Sequence, residues 1–282
     1  MKSMINILIA AFAFVIAFGI AILTGNDLVK HAVLLAFVIN WIAYVPAYLL
    51  QTEKFYDLTG TITYLTVIWT TYVLSSSKLP SIPIGNLILV LLISFWAARL
   101  GSFLFMRIHK DGEDKRFRTI KTSPSQFFMT FNLSALWVVI CSLCALTAVS
   151  NGVFEVKPIF YIGLLTFILG FSIEVIADNQ KTEFRSKPEN TDKFITTGLW
   201  SFSRHPNYFG EVMLWTGIAI MSYPYLGGVQ YWTLISPIFS FTLIYFVSGV
   251  RMLEARANLK WGEDINYQNY VKKTPIFFPK IF

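Results

Sequence analysis

The segment from Thr197 to Glu211 concentrates polar and ionisable side chains between two long apolar segments, namely Arg204, His205, Asn207, Tyr208 and Glu211. Polar groups at membrane depth are costly, and they mostly serve a site or line a hydrated cavity. Pro206 suits the first turn of a helix and favours an extended His205. We therefore expect Arg204 and His205 just outside a helix N-terminus, where unpaired amides and the helix dipole favour a phosphate or carboxylate.

Other ionisable residues also stand out against their apolar surroundings. Glu174 and Asp178 are four residues apart, on one face of a predicted helix, and Arg185 follows. A helix-end salt bridge and a hydrogen-bonding rim for a polar ligand are both open interpretations. Arg99 lies inside an apolar segment, where an unpaired guanidinium costs at least a few kcal/mol. We expect a partner for it, and Glu211 either pairs with Arg99 or faces a cavity.

Composition predicts the elements that must position these residues. Hydrophobic residues make up 55% of the 282, charged residues 14%, and mean hydropathy is +0.58. Such values are typical of an all-α polytopic membrane bundle. We predict about seven or eight transmembrane helices, the seventh of which is short for a full crossing: Ile5–Leu23, Val29–Leu50, Leu58–Leu74, Ile82–Phe105, Gln126–Val149, Val156–Ala177, Phe209–Tyr223 and Tyr231–Val250.

The distribution of basic residues predicts the orientation. Three segments, at 106–125, 178–206 and 251–282, together carry seventeen Lys and Arg residues. The alternate loops carry three, Lys30, Lys78 and Lys157. This bias places both termini and the basic segments in the cytoplasm. Topology thus accounts for the net charge of +7, so we expect membrane lipids rather than nucleic acid as partners.

Several kinds of chemistry are disfavoured by the residue inventory. Cys141 and Cys144 lie in an apolar span, where we expect them to pack as small hydrophobic side chains. The three histidines are far apart, so no metal site is expected. Neither a Gly-x-Gly-x-x-Gly nor a Walker motif occurs. The amphipathic segment 250–279 either lies along the membrane surface or covers a cytoplasmic mouth.

The motifs resemble a known family. Arg-His-Pro-Asn-Tyr-Phe-Gly-Glu at 204–211 follows Thr-Gly-Leu-Trp, and Leu253-Glu254 precedes Gly-Glu-Asp, Tyr267, Tyr270 and a Thr-Pro pair. This pattern is similar to the steroid 5α-reductase superfamily, especially its bacterial branch, and the likeness runs from about Asp57 onward. The resemblance implies a multi-helix membrane enzyme that binds NADPH from the cytoplasmic side. It implies reduction of a carbon–carbon double bond conjugated to a ketone in a lipophilic substrate.

The resemblance also implies roles for individual residues. Asp178 and Arg185 match an Asp-x6-Arg element that holds the nucleotide in the reductases. Glu174 stands where those enzymes have an asparagine. Asn207 matches an asparagine that contacts the cofactor. The remaining implied cofactor residues are Arg99, Arg204, His205, Tyr208, Arg251, Glu254, Tyr267 and Tyr270. Asp57, Tyr64 and Glu211 are the expected catalytic residues, with Asp57 or Tyr64 stabilising the developing enolate. The glutamine–glutamate pair of the steroid enzymes is missing, which argues against a steroid substrate.

Two other functions remain open. Isoprenylcysteine carboxyl methyltransferases and phospholipid methyltransferases share the Arg-His-Pro-x-Tyr-x-Gly pattern and use S-adenosylmethionine. That resemblance implies its carboxylate beside Arg204 and His205, and its amine beside Glu254. A non-catalytic lipid-binding membrane protein is the third possibility. We expect residues 1–56 to form N-terminal transmembrane helices and residues 57–282 the reductase-like domain, within one structural unit.

Overall fold

The computed structural model describes residues 1–77, 83–152 and 156–280. Lys78 and the predicted start of the fourth span at Ile82 therefore lie outside the described residues. Helices account for most of the described chain, and no strand occurs within those ranges. The α-helices are α1 (Lys2–Leu23), α2 (Asp27–Leu49), α3 (Tyr56–Ser76), α4 (Ile84–Asp111), α5 (Phe117–Ile120), α6 (Pro124–Asn151), α7 (Pro158–Ser186), α8 (Pro206–Ser222), α9 (Ser236–Thr242), α10 (Val250–Trp261) and α11 (Ile265–Lys273).

Six of the described helical segments are long and apolar enough to cross a membrane: α1, α2, α4, α6, α7 and the segment Gly228–Trp261. The prediction of an all-α, multi-pass membrane protein is confirmed, and the described residues hold six candidate spans where the sequence predicts about seven or eight. Two predicted spans fall outside this set. Helix α3 contains six threonines and three tyrosines, which lower its apolarity, and α8 has 17 residues where a crossing needs about 20.

The described chain divides into two compact units, and unit 1 comprises Met1–Pro158 and Ser222–Ser236. Helix α6 forms its centre, with 17 buried residues and contacts to α1, α2 and α3. Trp41 donates from Nε1 to Asn132 Oδ1 of α6 at 3.0 Å. Cys141 and Cys144 are buried in α6, where the sequence predicts that they pack as small side chains.

Unit 2 comprises Ile159–Met221 and Pro237–Phe282, and its α7 and α8 pack backbone to backbone. Glycines spaced by seven residues, two helical turns, form the contact on each helix: Gly163 and Gly170 on α7, Gly210 and Gly217 on α8. A methyl group added at Gly170 would lie 2.6 Å from the backbone nitrogen of Leu214, and one at Gly210 would lie 2.5 Å from the carbonyl oxygen of Gly170. Only glycine permits this approach.

The C-terminal tail of unit 2 is tied to the loop that precedes α8. Ser203 Oγ donates to the Phe277 carbonyl at 2.7 Å, and the Arg204 amide donates to the Pro275 carbonyl at 2.9 Å. Phe277 is buried beneath this contact. The tail therefore fixes the segment that carries the polar motif. The predicted boundary between residues 1–56 and 57–282 stays a prediction.

Candidate active site

The polar motif lies where the sequence predicts, at the start of α8. Pro206 is the first residue of the helix, and Arg204 and His205 come just before it. Glu254 of α10 bridges this pair. One of its carboxylate oxygens lies 2.8 Å from His205 Nε2, and the other forms an ion pair with Arg204 Nη1. The sequence predicts that Arg204 and His205 bind an anion, and the anion that contacts them is the Glu254 side chain of the same protein.

The imidazole of His205 is buried, and burial lowers its pKa below the ordinary value of 6.5. The hydrogen bond to Glu254 works in the opposite direction but does not offset this effect. The ring is therefore neutral at pH 7. With Nε2 donating to the carboxylate, Nδ1 is left as an acceptor. The Tyr208 ring stacks on the imidazole at 5.7 Å between centroids and helps to fix its orientation.

A second polar contact joins α8 to α7. Asn207 Nδ2 donates to Asp178 Oδ1 at 3.1 Å. Asp178 and Glu174 are both buried on the α7 face that meets α8, and the glycine contact brings Gly210 against the backbone of Glu174. Glu211, the next residue, is also buried. The close helix packing therefore gathers three carboxyl groups and one amide in the interior of unit 2. Asp178 does not end its helix, since α7 continues to Ser186, beyond the predicted end at Ala177.

Four buried polar atoms of the motif have no hydrogen-bond partner within the described part of the chain: Arg204 Nε, His205 Nδ1, Asn207 Oδ1 and Glu211 Oε1. Buried polar atoms are almost always hydrogen-bonded, so a group of four in eight residues fits a polar ligand site. Three of the four can act as acceptors. They fit hydroxyl, amine or amide N–H groups, which nucleotide cofactors carry on their ribose and carboxamide or amino groups.

The aromatic residues of the tail have partners of their own. The Tyr270 hydroxyl donates to the Trp200 carbonyl at 2.7 Å, and the Tyr267 ring packs on Phe194 at 5.1 Å. Burial raises the pKa of both tyrosines, which keeps the phenols protonated. Together with Glu254, these contacts show the tail packing over the motif segment. The two interpretations of segment 250–279, along the membrane surface or over a cytoplasmic mouth, both stay predictions.

Three further arginines belong to the predicted cofactor residues. Arg185 is exposed two turns beyond Asp178 on α7. Arg251 is exposed at the start of α10, with its guanidinium 5.4 Å from the centroid of the Phe246 ring. Arg99 belongs to unit 1, and its guanidinium lies 5.0 Å from the Phe103 ring, so one partner of this cation is aromatic. Their roles toward a cofactor stay predictions.

The two other predicted catalytic residues, Asp57 and Tyr64, line one small cavity between α3, α4 and α6 in unit 1. They are seven residues apart on one face of α3. The Tyr64 ring packs edge-on against Trp96 and Trp137, at 5.2 and 5.6 Å. The cavity has a volume of about 20 Å³, room for one water-sized group. It can admit a single polar group of a substrate but not a whole lipophilic molecule.

Sequence reasoning missed several residues that build these sites. The paired glycines on α7 and α8 were overlooked, although their seven-residue spacing is visible in the sequence. Trp200 donates from Nε1 to the Ala177 carbonyl at 3.0 Å, and the Leu199 amide donates to Gln180 Oε1 at 2.9 Å. Trp137 was also missed, and its buried Nε1 has no hydrogen-bond acceptor among the described residues. No local signal identifies a tryptophan of this kind within an apolar span.

Fold and site together define a multi-pass, all-helical membrane protein with a buried polar site at the start of one helix. The chain belongs to the DUF1295 family, described as a protein of unknown function, whose family model matches residues 43–274. Its relatives confirm the resemblance to the steroid 5α-reductase-like superfamily.

Three relatives illustrate the range. A steroid 5-alpha-reductase DET2 of Gossypium hirsutum is 29% identical over 123 residues, 44% of this chain and 43% of the relative. The human 3-oxo-5-alpha-steroid 4-dehydrogenase 1 is 27% identical over 125 residues, which are 44% of this chain and 43% of the relative. A probable O-methyltransferase ustE of Ustilaginoidea virens is 31% identical over 93 residues, which are 32% of this chain and 31% of the relative. The chain thus spans less than half the length of these relatives. No solved structure matches it.

Proposed function

We propose that this protein is an integral-membrane, NADPH-dependent reductase of a carbon–carbon double bond conjugated to a ketone in a lipophilic substrate. The observation that carries the proposal is the Asn207–Asp178 hydrogen bond inside unit 2. It unites the two motif elements that the resemblance assigns to the nucleotide. The names of the reductase relatives support the same reaction class.

The polar atoms of the motif would hold the nucleotide. Asp178 and Asn207 offer acceptors to its hydroxyl and amide groups, and the unpaired acceptors at His205 and Glu211 add to this set. Glu254 holds Arg204 and His205 in place beside them. When bound, NADPH would supply hydride to the β-carbon of the conjugated ketone. These side chains would orient the nucleotide and exclude water from it.

The cavity in unit 1 would receive the ketone oxygen. Tyr64 is held edge-on by two tryptophans, so its hydroxyl has a fixed direction, and Asp57 lines the same cavity. A hydrogen-bond donor at this oxygen stabilises the charge that develops as hydride adds to the conjugated double bond. Since the cavity admits only one small polar group, the apolar remainder of the substrate would stay in contact with the bilayer. We further propose that both termini and the basic segments face the cytoplasm.

A methyltransferase that uses S-adenosylmethionine is the second candidate. The observation that favours it is the position of Glu254, which lies beside Arg204 and His205. The Glu254 carboxylate could bind the amine of that cofactor while the Arg204 guanidinium binds its carboxylate. The methyltransferase relative supports this class. The same atoms are already paired with one another, however, so such a ligand would have to replace an existing ion pair.

Turnover of each cofactor distinguishes the two candidates. Purified protein is incubated with NADPH and a panel of lipophilic conjugated enones, non-steroidal as well as steroidal, while absorbance at 340 nm and formation of the saturated ketone are followed. A parallel sample receives S-adenosylmethionine with a labelled methyl group and a bacterial lipid extract. We expect NADPH oxidation that Asp178→Asn abolishes and the exposed control Glu263→Gln retains. Methyl transfer without NADPH oxidation would overturn the reductase proposal, and absence of both reactions would favour the lipid-binding alternative.

A further inference from the structure

Unit 2 carries a surface pocket that the proposed reaction does not use. Its volume is about 520 Å³, within the range of pockets that hold small organic ligands. Of the predicted cofactor residues only Tyr270 lines it, and the hydroxyl of Tyr270 already donates to the Trp200 carbonyl. The lining residues are Thr196, Ser201, Phe202, Asn269, Tyr270, Lys273, Thr274 and Lys280.

Hydrogen bonds hold the walls of this pocket together. The Lys280 amide donates to the Phe202 carbonyl at 2.9 Å, which ties the tail to the loop before α8. The Thr274 amide donates to the Tyr270 carbonyl at 2.9 Å and extends the end of α11. The Ser201 hydroxyl donates to the Gly198 carbonyl at 2.7 Å. Three separate chain segments therefore form one preorganised concave surface.

The pocket is positively charged. Lys273 and Lys280 contribute two ammonium groups, and the lining includes no carboxylate. Neither lysine forms an ion pair within the ranges that the structure describes. The hydroxyl of Thr196 and the amide of Asn269 add neutral donors. Clustered ammonium, hydroxyl and amide donors suit a phosphate group, which accepts hydrogen bonds on several oxygens.

Stabilisation of a helix end does not explain both lysines. Lys273 lies in the last turn of α11, as does Lys272, and positive charge there offsets the helix dipole. Lys280 lies beyond the end of that helix, so its place in the pocket has no such cause. Phe202 adds an apolar surface beside the charges, since half of its side chain is exposed. We propose that this pocket binds a phosphate-bearing ligand, which is either a lipid headgroup or a soluble phosphate ester.

The test uses full-length protein in a non-ionic detergent at constant ionic strength. Thermal unfolding is followed against inorganic pyrophosphate and, separately, against dihexanoyl phosphatidic acid, with dihexanoyl phosphatidylcholine as a zwitterionic reference. The variants are Lys273→Gln and Lys280→Gln. Lys272→Gln is the matched control, because it removes the same charge from the same helix end outside the pocket. Each probe that binds should stabilise the wild type and the control, while each pocket variant should weaken binding by roughly tenfold.

The outcomes distinguish a lipid headgroup from a soluble phosphate ester, and binding in the pocket from an effect of overall charge. Stabilisation by pyrophosphate supports a soluble phosphate ester, and stabilisation by phosphatidic acid alone supports a lipid headgroup. Unchanged binding in the pocket variants would overturn the proposal, as would no response to either phosphate probe. Equal weakening in Lys272→Gln would also overturn it, because the effect would then reflect overall charge. Since none of these probes is a hydride donor, the result does not depend on the proposed reductase activity.

Discussion

The carboxylate of Glu254 lies 2.8 Å from Nε2 of His205, and this contact joins α10 to the segment that begins α8. Two motifs separated by about fifty residues in sequence thereby form one network. The same carboxylate neutralises Arg204. Both proposed cofactors would meet this network already assembled, but they would use it differently. A reductase can retain the pairing, whereas a methyltransferase would have to open it.

Glu254→Gln is expected to destabilise the protein. The amide retains a hydrogen bond to one neighbour, but the partly buried Arg204 loses its counter-charge, which costs roughly 1–3 kcal/mol. Thermal unfolding in detergent measures the change, with exposed Glu263→Gln as the control. Equal melting temperatures for both variants would show that the ion pair contributes nothing to stability.

The stability of the protein should depend on pH through His205. Because burial lowers the pKa of this imidazole below 6.5, the unfolded state binds a proton more readily than the folded state. The contribution of the neutral His205 ring to the stability of the fold is complete above pH 6.5. It is lost as the pH falls through the lower pKa of the folded state. The difference in melting temperature between wild type and His205→Gln should therefore shrink from pH 7.5 to pH 5.0. A difference for His205→Gln that stays constant over this pH range would contradict the prediction.

Gly170→Ala should disrupt the contact between α7 and α8. The added methyl group meets backbone atoms that cannot rotate away, and overpacking of this kind costs about 1–3 kcal/mol. The displaced helices would also separate Asn207 from Asp178, so ligand-induced stabilisation should fall. Gly19→Ala is the control, because nothing lies within 4 Å of its added methyl group and alanine favours the helix. A melting temperature for Gly170→Ala at or above that of Gly19→Ala would argue against close packing.

Tyr64→Phe and Asp57→Ala test the hydrogen-bond donors of the proposed reaction. If the hydroxyl or the carboxyl stabilises the enolate oxygen, losing the donor should reduce turnover by roughly 10²–10⁴-fold. Turnover of the enone that the purified protein reduces gives the measurement, and Tyr72→Phe on the same helix is the control. Full activity in both Tyr64→Phe and Asp57→Ala would exclude this arrangement.

Much of the fold was predictable from the chain because bilayer-spanning helices have a strong compositional signal. The all-α bundle and the helix start at Pro206 followed from apolar run length and proline geometry. The shortness of α8 also followed from run length, but the lower apolarity of α3 did not, because run length does not weigh its six threonines. Helix α7 also continues past its apolar run, and only its packing partners reveal where it ends.

The candidate site was predictable only in part. The residues were identifiable from their unusual polarity, but their pairing depends on tertiary contacts. Nothing local to Arg204 indicates that its counter-charge comes from Glu254, fifty residues later. The hydrogen bond between Asn207 and Asp178 likewise depends on the glycine contact of two helices. Whether Arg99 or Arg251 belongs to the same site stays a prediction.

Thermal stabilisation by each of the two cofactors tests most directly whether the buried polar site binds NADPH. Purified protein is titrated with NADPH and, separately, with S-adenosylmethionine while thermal unfolding is recorded. A ligand at one hundred times its Kd stabilises the folded state by about 2.7 kcal/mol. We predict stabilisation by NADPH, which Asn207→Ala weakens and the exposed control Asn266→Ala leaves intact. Stabilisation by S-adenosylmethionine alone would contradict it.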